Sequence, residues 1–168
     1  KARLAQSVCD LLEDYGHFAG GIYEIDCEPV PDAIQLAVAM LRAVGLTAAK
    51  QIADPVEALA AALQEISGSK GRVLLMLDNV DPLFNVGKGE DTSRLLKQLL
   101  TDCPDLQVLA TCRRQLWLGG YESDFLLDPL TPEAAVNLFI QSIPDQDVRR
   151  QVQSLPVESR SHMDDLVS

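Results

Sequence analysis

What this chain lacks narrows its function before any motif is read. No apolar run approaches the length of a membrane span, and no signal-like segment stands at its start, so the expectation is a cytoplasmic chain that does not enter a bilayer. Positive charge is scarce: 14 Lys and Arg face 25 Asp and Glu, for a formal net charge of −11. That field repels polyanions and argues against nucleic acid or an anionic membrane surface as a partner. A phosphate group would have to be held by local contacts. The four cysteines, Cys9, Cys27, Cys103 and Cys112, show neither paired zinc spacing nor a redox Cys-x-x-Cys, which leaves buried reduced thiols as their expected state. Internal repeats and low-complexity tracts are also missing. What remains, at 168 residues with 47% hydrophobic and 23% charged side chains, is a globular chain long enough for a real core.

The most informative stretch is residues 73–83, Val-Leu-Leu-Met-Leu-Asp-Asn-Val-Asp-Pro-Leu. Five apolar residues in a row fit a strand hidden on both faces, as in a parallel sheet covered by helices on each side. In open parallel sheets, ligands bind beyond the carboxyl ends of the strands. Asp78 therefore stands where a ligand would be held, and a carboxylate there suits a Mg²⁺ ion that carries nucleotide phosphates. The alternative is that Asp78 and Asn79 merely begin a turn.

Helical and strand patterns alternate around this run. Leu4, Val8, Leu11 or Leu12, and Tyr15 recur at helical spacing before Gly16, so the chain opens with a helix. Gly21 to Asp26 reads as a strand, and a second helix is expected from about Pro31 to Val44. Asp54-Pro55-Val56-Glu57 combines a cap, a proline at the first helical position and an acid three residues on. The helix it starts carries Val56, Leu59, Leu63 and Ile66 on one stripe, and 67–71 is expected as a loop. A helix with Leu95, Leu96, Leu99 and Leu100 follows, then strands at Leu106 to Thr111 and Phe125 to Asp128. Thr131 caps a further helix through Ile140; Val148, Val152 and Leu155 suggest another, and His162 to Ser168 the start of one more. The alternation predicts an α/β parallel sheet with helices on both faces over 1–141, followed by a helical region over 142–168.

Read together, four pieces fall in order: Lys1-Ala2-Arg3-Leu4-Ala5, the Leu-Leu-Met-Leu-Asp-Asn run, Leu109-Ala110-Thr111-Cys112-Arg113, and 128–135, Asp-Pro-Leu-Thr-Pro-Glu-Ala-Ala, with Leu138-Phe139. This order resembles the NB-ARC-like nucleotide-binding domain of the STAND class of P-loop signal-transduction ATPases, which includes plant resistance proteins, apoptotic ATPases and bacterial transcriptional regulators. The resemblance covers roughly residues 1–140. It implies a three-layer P-loop fold that binds ATP or ADP with Mg²⁺ and acts as a switch on adjacent domains of a larger parent chain, with homo-oligomerisation through that parent left open. It also implies roles: Lys1 for the phosphate-contacting lysine, Asp78 for the Mg²⁺-associated acid, and Arg113 for the arginine that senses the terminal phosphate. Thr111 would add a hydroxyl to the same pocket, and Arg114 reads as a surface residue.

Several features depart from that pattern. Ala2 replaces the Mg²⁺-ligating Ser or Thr, and Asn79 stands where many members carry a second acid, so an amide positions water without taking its proton. Asp81 is a further acid in reach, its direction left open by the intervening Val80. A slow ATPase at most is the expectation. The first strand and the glycine loop are not in the sequence; a parent sheet ordered 2-3-1-4-5 would leave strands 2, 3, 4 and 5 here with an empty central slot. Two alternatives stay open. One is a scaffold of the same fold that has lost nucleotide binding. The other is a receiver-like aspartyl-phosphate switch with Asp78 as acceptor, which Asp128-Pro129 disfavours because that family needs a lysine before the proline.

Overall fold

The computed structural model describes residues 1–46, 53–85, 87, 89–116 and 118–154, with residues 151–154 described for their backbone only. The chain forms two compact units, Lys1–Asp124 and Phe125–Ser168. Elements of the first unit are α1 (Ala2–Asp14), β1 (Gly21–Asp26), α2 (Ala33–Ala43), α3 (Pro55–Lys70), β2 (Val73–Asp78), α4 (Gly89–Asp102) and β3 (Leu106–Ala110). A short 3-10 turn, Asp81–Phe84, follows β2. The second unit holds α5 (Pro132–Gln141) and α6 (Gln146–Ser154).

The apolar run becomes the central strand. β2 lies between β1 and β3, parallel to both, so its backbone is bonded along both edges. Its side chains alternate between two cores. Val73, Leu75 and Leu77 pack with residues of α2, α3 and α4, among them Leu36, Met40, Leu59, Leu63, Leu96 and Leu99. Leu74 and Met76 point the other way, onto Ala5 and Cys9 of α1. At about 1.5–3 kcal/mol for each large side chain withdrawn from water, this strand anchors the unit. The α/β class with a parallel sheet and helices on both faces thus matches the expectation from sequence.

Four expectations need correction. β2 pairs directly with β3, Val73 opposite Leu106, so no empty slot separates them. Direct pairing satisfies amides and carbonyls that a vacant position would have left exposed. Phe125 to Asp128 forms no strand. Phe125 and Leu126 are 86% and 91% exposed, and a strand without partners for backbone or side chains has nothing to stabilise it. Residues 67–70 belong to α3 rather than a loop. Ser67 and Ser69 hydroxyls donate to the carbonyls of Gln64 and Glu65, at 3.2 and 2.8 Å, so they are satisfied within the helix instead of drawing the chain into a turn, and Gly71, at φ 108°, ends it. Finally, α1 forms as expected, but of the row Leu4, Val8, Leu11 or Leu12, and Tyr15 only Leu12 packs on the sheet, beside Ala5 and Cys9. Ala5 and Cys9 face the sheet while Leu4, Val8, Leu11 and Tyr15 are exposed.

The remaining local signals hold. Asp54 accepts from the amides of Val56 and Glu57 at 3.0 and 3.1 Å. Leu59 and Leu63 of the predicted stripe are buried, with Val56 and Ile66 partly so. Asp32 caps α2 through the Gln35 amide, and Thr131 caps α5 through that of Ala134. Val136 and Ile140 are the buried side of α5. The helix start expected at His162 lies outside the described residues. Among those described, no helix is long and apolar enough to cross a membrane.

Candidate functional site

The carboxyl ends of the three strands gather most of the residues with chemistry. Asp26 ends β1 and Asp78 ends β2, and the parallel register sets them side by side. The Cys27 amide donates to the Asp78 carbonyl at 2.9 Å, which carries the β1–β2 ladder up to the acid itself. On the other side the Thr111 amide donates to the Leu77 carbonyl at 2.9 Å. Asp78 is thus flanked by backbone bonds to both neighbouring strands, its own carbonyl bonded on the β1 side and that of Leu77 on the β3 side.

Its carboxylate is oriented by one hydroxyl. Thr111 Oγ1 donates to Asp78 Oδ1 at 2.5 Å and accepts from the Asn79 amide at 2.9 Å. Asp78 Oδ2 has no protein partner among the described residues, and it belongs to a side chain lining a cleft. Asn79 adopts φ 55°, the left-handed region that short polar side chains tolerate best after glycine. That backbone requirement supplies a reason for asparagine at position 79 beyond any work on water.

Beyond Asn79 the turn is stitched to the segment after β3. The Val80 amide donates to the Thr111 carbonyl at 3.1 Å. Both oxygens of Asp81 accept from the Arg113 amide, at 3.0 and 3.1 Å. Arg114 Nη2 donates to the Asp81 carbonyl at 3.2 Å and to Asn85 Oδ1 at 3.5 Å. Asp81 is therefore committed to the loop and is not a spare base, and Arg114, though exposed, ties that loop down. The Arg113 guanidinium is exposed and makes no hydrogen bond or ion pair within the described structure. Lys1 reaches the same segment from α1, its Nζ donating to the Cys112 carbonyl at 2.6 Å. Lys1, Asp78, Asn79, Thr111 and Arg113 thus converge at one end of the sheet.

An open cleft of about 500 Å³ lies beside them, lined by Ala2, Arg3, Gln6, Glu24, Asp26 and Asp78 among others. Gln6 Nε2 donates to Glu24 Oε1 at 2.5 Å and to Asp10 Oδ1 at 3.2 Å. Asp26 Oδ1 accepts from the Glu28 amide at 2.9 Å. Ala2 opens α1, whose N-terminus has no side-chain cap. The charge at the strand ends registers on Cys27, a fully buried thiol. Burial first, then Asp26 and Asp78, push it up to about 12. Cys112 is raised as well, by burial and Asp81, with Lys1 opposing.

The donor set suits a phosphate-borne cation better than a protein-caged one. No three His, Cys, Asp or Glu side chains come together as a metal cage among the described residues. Mg²⁺ is ordinarily held by one or two carboxylates, with water and phosphate completing its shell. Asp78 and its neighbour Asp26 offer that. Asp26 is the residue that sequence reasoning passed over; it ends its strand as Asp78 does, and parallel pairing brings two such strand-end acids together. Comparison with family models, curated proteins and solved structures finds no match for this chain, so the likeness to signal-transduction ATPases rests on the motifs themselves.

Proposed function

We propose that the Lys1–Asp124 unit is a cytoplasmic P-loop-like nucleotide-binding switch. It takes ATP or ADP with Mg²⁺, turns it over slowly at most, and works on neighbouring domains of a larger signalling or assembly protein. The observation that carries this reading is the convergence of Lys1, Asp78, Thr111 and the Arg113 loop at the carboxyl end of a parallel sheet, beside an uncapped helix N-terminus. Helix N-termini and strand ends of this kind are where anionic ligands bind in open α/β folds. Mg²⁺ carried by the nucleotide would supply positive charge to offset that of the phosphates. Asp78, oriented by Thr111, would hold that cation through its unpartnered oxygen, with Asp26 beside it. Lys1 would exchange its bond to the Cys112 carbonyl for a phosphate oxygen, and Arg113 would report whether the terminal phosphate is there. A switch of this type acts only through different affinities for its two states.

Slow turnover follows from two side chains. Ala2 lines the cleft but has no side-chain oxygen to offer a metal, and Asn79 cannot accept a proton from water. Single-turnover hydrolysis, with filter binding alongside, tests the reading. The 168-residue chain should bind nucleotide and hydrolyse it slowly, and Ala2→Thr with Asn79→Asp should accelerate hydrolysis towards the roughly 10²–10⁴-fold that general-base help supplies. Aspartate suits the left-handed backbone at position 79 nearly as well as asparagine. Fast hydrolysis by the unmodified chain would overturn the slow switch. Failure to bind nucleotide at all would favour a protein-binding scaffold, a reading that Ala2 also supports.

A further inference from the structure

Asp81 sits outside the cleft, and no motif accounts for it. Its carboxylate places one oxygen at 3.0 Å and the other at 3.1 Å from the same donor, the Arg113 amide, thirty-two residues away in sequence. Its carbonyl takes the Arg114 guanidinium. These bonds continue a series. Thr111 N to Leu77 O and Val80 N to Thr111 O extend the β2–β3 ladder past the ends of both strands, and the Asp81 side chain makes the next rung where the backbone cannot. Segments 78–81 and 111–114 are consequently closed together along their length, with the Asp78–Thr111–Asn79 bonds as a second row.

We propose that Asp81 is a positioning residue: it latches the loop that carries Arg113 to the turn that carries Asp78, so that the two move as one body. The proposal rests on the nucleotide-switch reading above and deepens it by naming how occupancy at one group reaches the other. Arg113 projects an exposed guanidinium, unpartnered among the described residues, from a backbone whose amide is fixed by Asp81. A long side chain on a fixed base loses less freedom on meeting its ligand than one on a loose base. Any displacement of the Asp78 turn by a cation is passed to Arg113 through the latch, which is a coupling between two sites in the thermodynamic sense. Asp81 touches no ligand in this scheme. It acts through Arg113.

Amide hydrogen exchange and nucleotide affinity, measured on the 168-residue chain, separate the latch from the reading it rests on. Without nucleotide, Asp81→Ala should speed exchange at the Arg113 amide by about tenfold, the effect of losing one charge-assisted bond. Asp81→Asn, which keeps an acceptor oxygen but not the charge, should give a rate between those of wild type and Asp81→Ala. With fluorescent ATP and ADP analogues, Asp81→Ala and Arg113→Ala should each reduce the preference between the two nucleotides, and the double variant should be no worse than Arg113→Ala alone. That non-additivity is what a purely structural role would not give. If Asp81→Ala does not fold, Asp81→Glu, which displaces the carboxylate by one methylene, serves in the same comparisons. Unchanged exchange at Arg113, or additive losses in the double variant, would overturn the positioning role while leaving nucleotide binding standing. Wild-type protein that latches but binds neither nucleotide would overturn the switch reading, and the positioning role with it.

Discussion

One hydroxyl and one thiol show how much single side chains decide at the strand ends. Thr111 is half-buried and serves the Asp78 carboxylate and the Asn79 amide at once. Thr111→Val is nearly isosteric and removes both bonds. Leaving a part-buried polar group without a partner costs about 1–3 kcal/mol, so the midpoint of urea unfolding should fall accordingly, whereas Thr111→Ser should keep most of the stability. An unchanged midpoint for Thr111→Val would remove the hydroxyl from this role. Cys27 gives a pH prediction whose sign is definite. Its folded pKa is raised to about 12 from 9.0, so in that interval the folded thiol keeps a proton that the unfolded one has released. Stability from this group is intact below pH 9 and declines as pH rises towards 12. Cys27→Ala should flatten the alkaline arm of a stability profile, and an identical slope in both proteins would refute the assignment. Asp26 and Asp78 contribute to that shift, so the thiol also reports the charge of the candidate site.

Among the elements, those with a local signal were legible and those that depended on partners were not. α3 could be read from Asp54, Pro55 and the Leu59–Leu63 stripe because a cap, a fixed φ and a 3.6-residue period are properties of the segment itself. Asp54→Ala should therefore cost about 1 kcal/mol in thermal or chemical unfolding; no loss would mean that packing alone holds that end. β2 was legible because a run buried on both faces leaves no polar position. The direction of α1 was not, since Leu4, Val8 and Leu11 carry a helical period as good as that of Ala5 and Cys9. Only the sheet selects between adjacent rows, and it selects the one with Ala5, Cys9 and Leu12. Phe125 to Asp128 reads as a strand by composition, yet pairing decides strands and composition does not report it. Gly20 lies between these cases. A methyl group there would meet the Gly71 carbonyl at 2.3 Å, and its amide already donates to the Arg72 carbonyl.

For the whole molecule, the parallel sheet is what turns separate motifs into a site. Asp78, Thr111 and Arg113 were visible as strand-end residues because apolar runs stop just before them. Asp26 and Asp81 were named in the sequence, but not their places, because these depend on strand register and on loops closing across thirty-two positions. The net charge of −11 makes the central claim demanding: an anionic ligand must be drawn to an acidic protein by a bound cation and a few local donors. Calorimetric titration of ATP into the wild-type chain and into Asp78→Ala, each with Mg²⁺ and with EDTA, tests this most directly. The account predicts that wild type binds Mg²⁺-ATP, that Asp78→Ala weakens it by about tenfold or more with Mg²⁺ present, and that the two proteins become alike in EDTA. Equal affinity of both proteins for Mg²⁺-ATP, or a wild-type affinity indifferent to the metal, would contradict it.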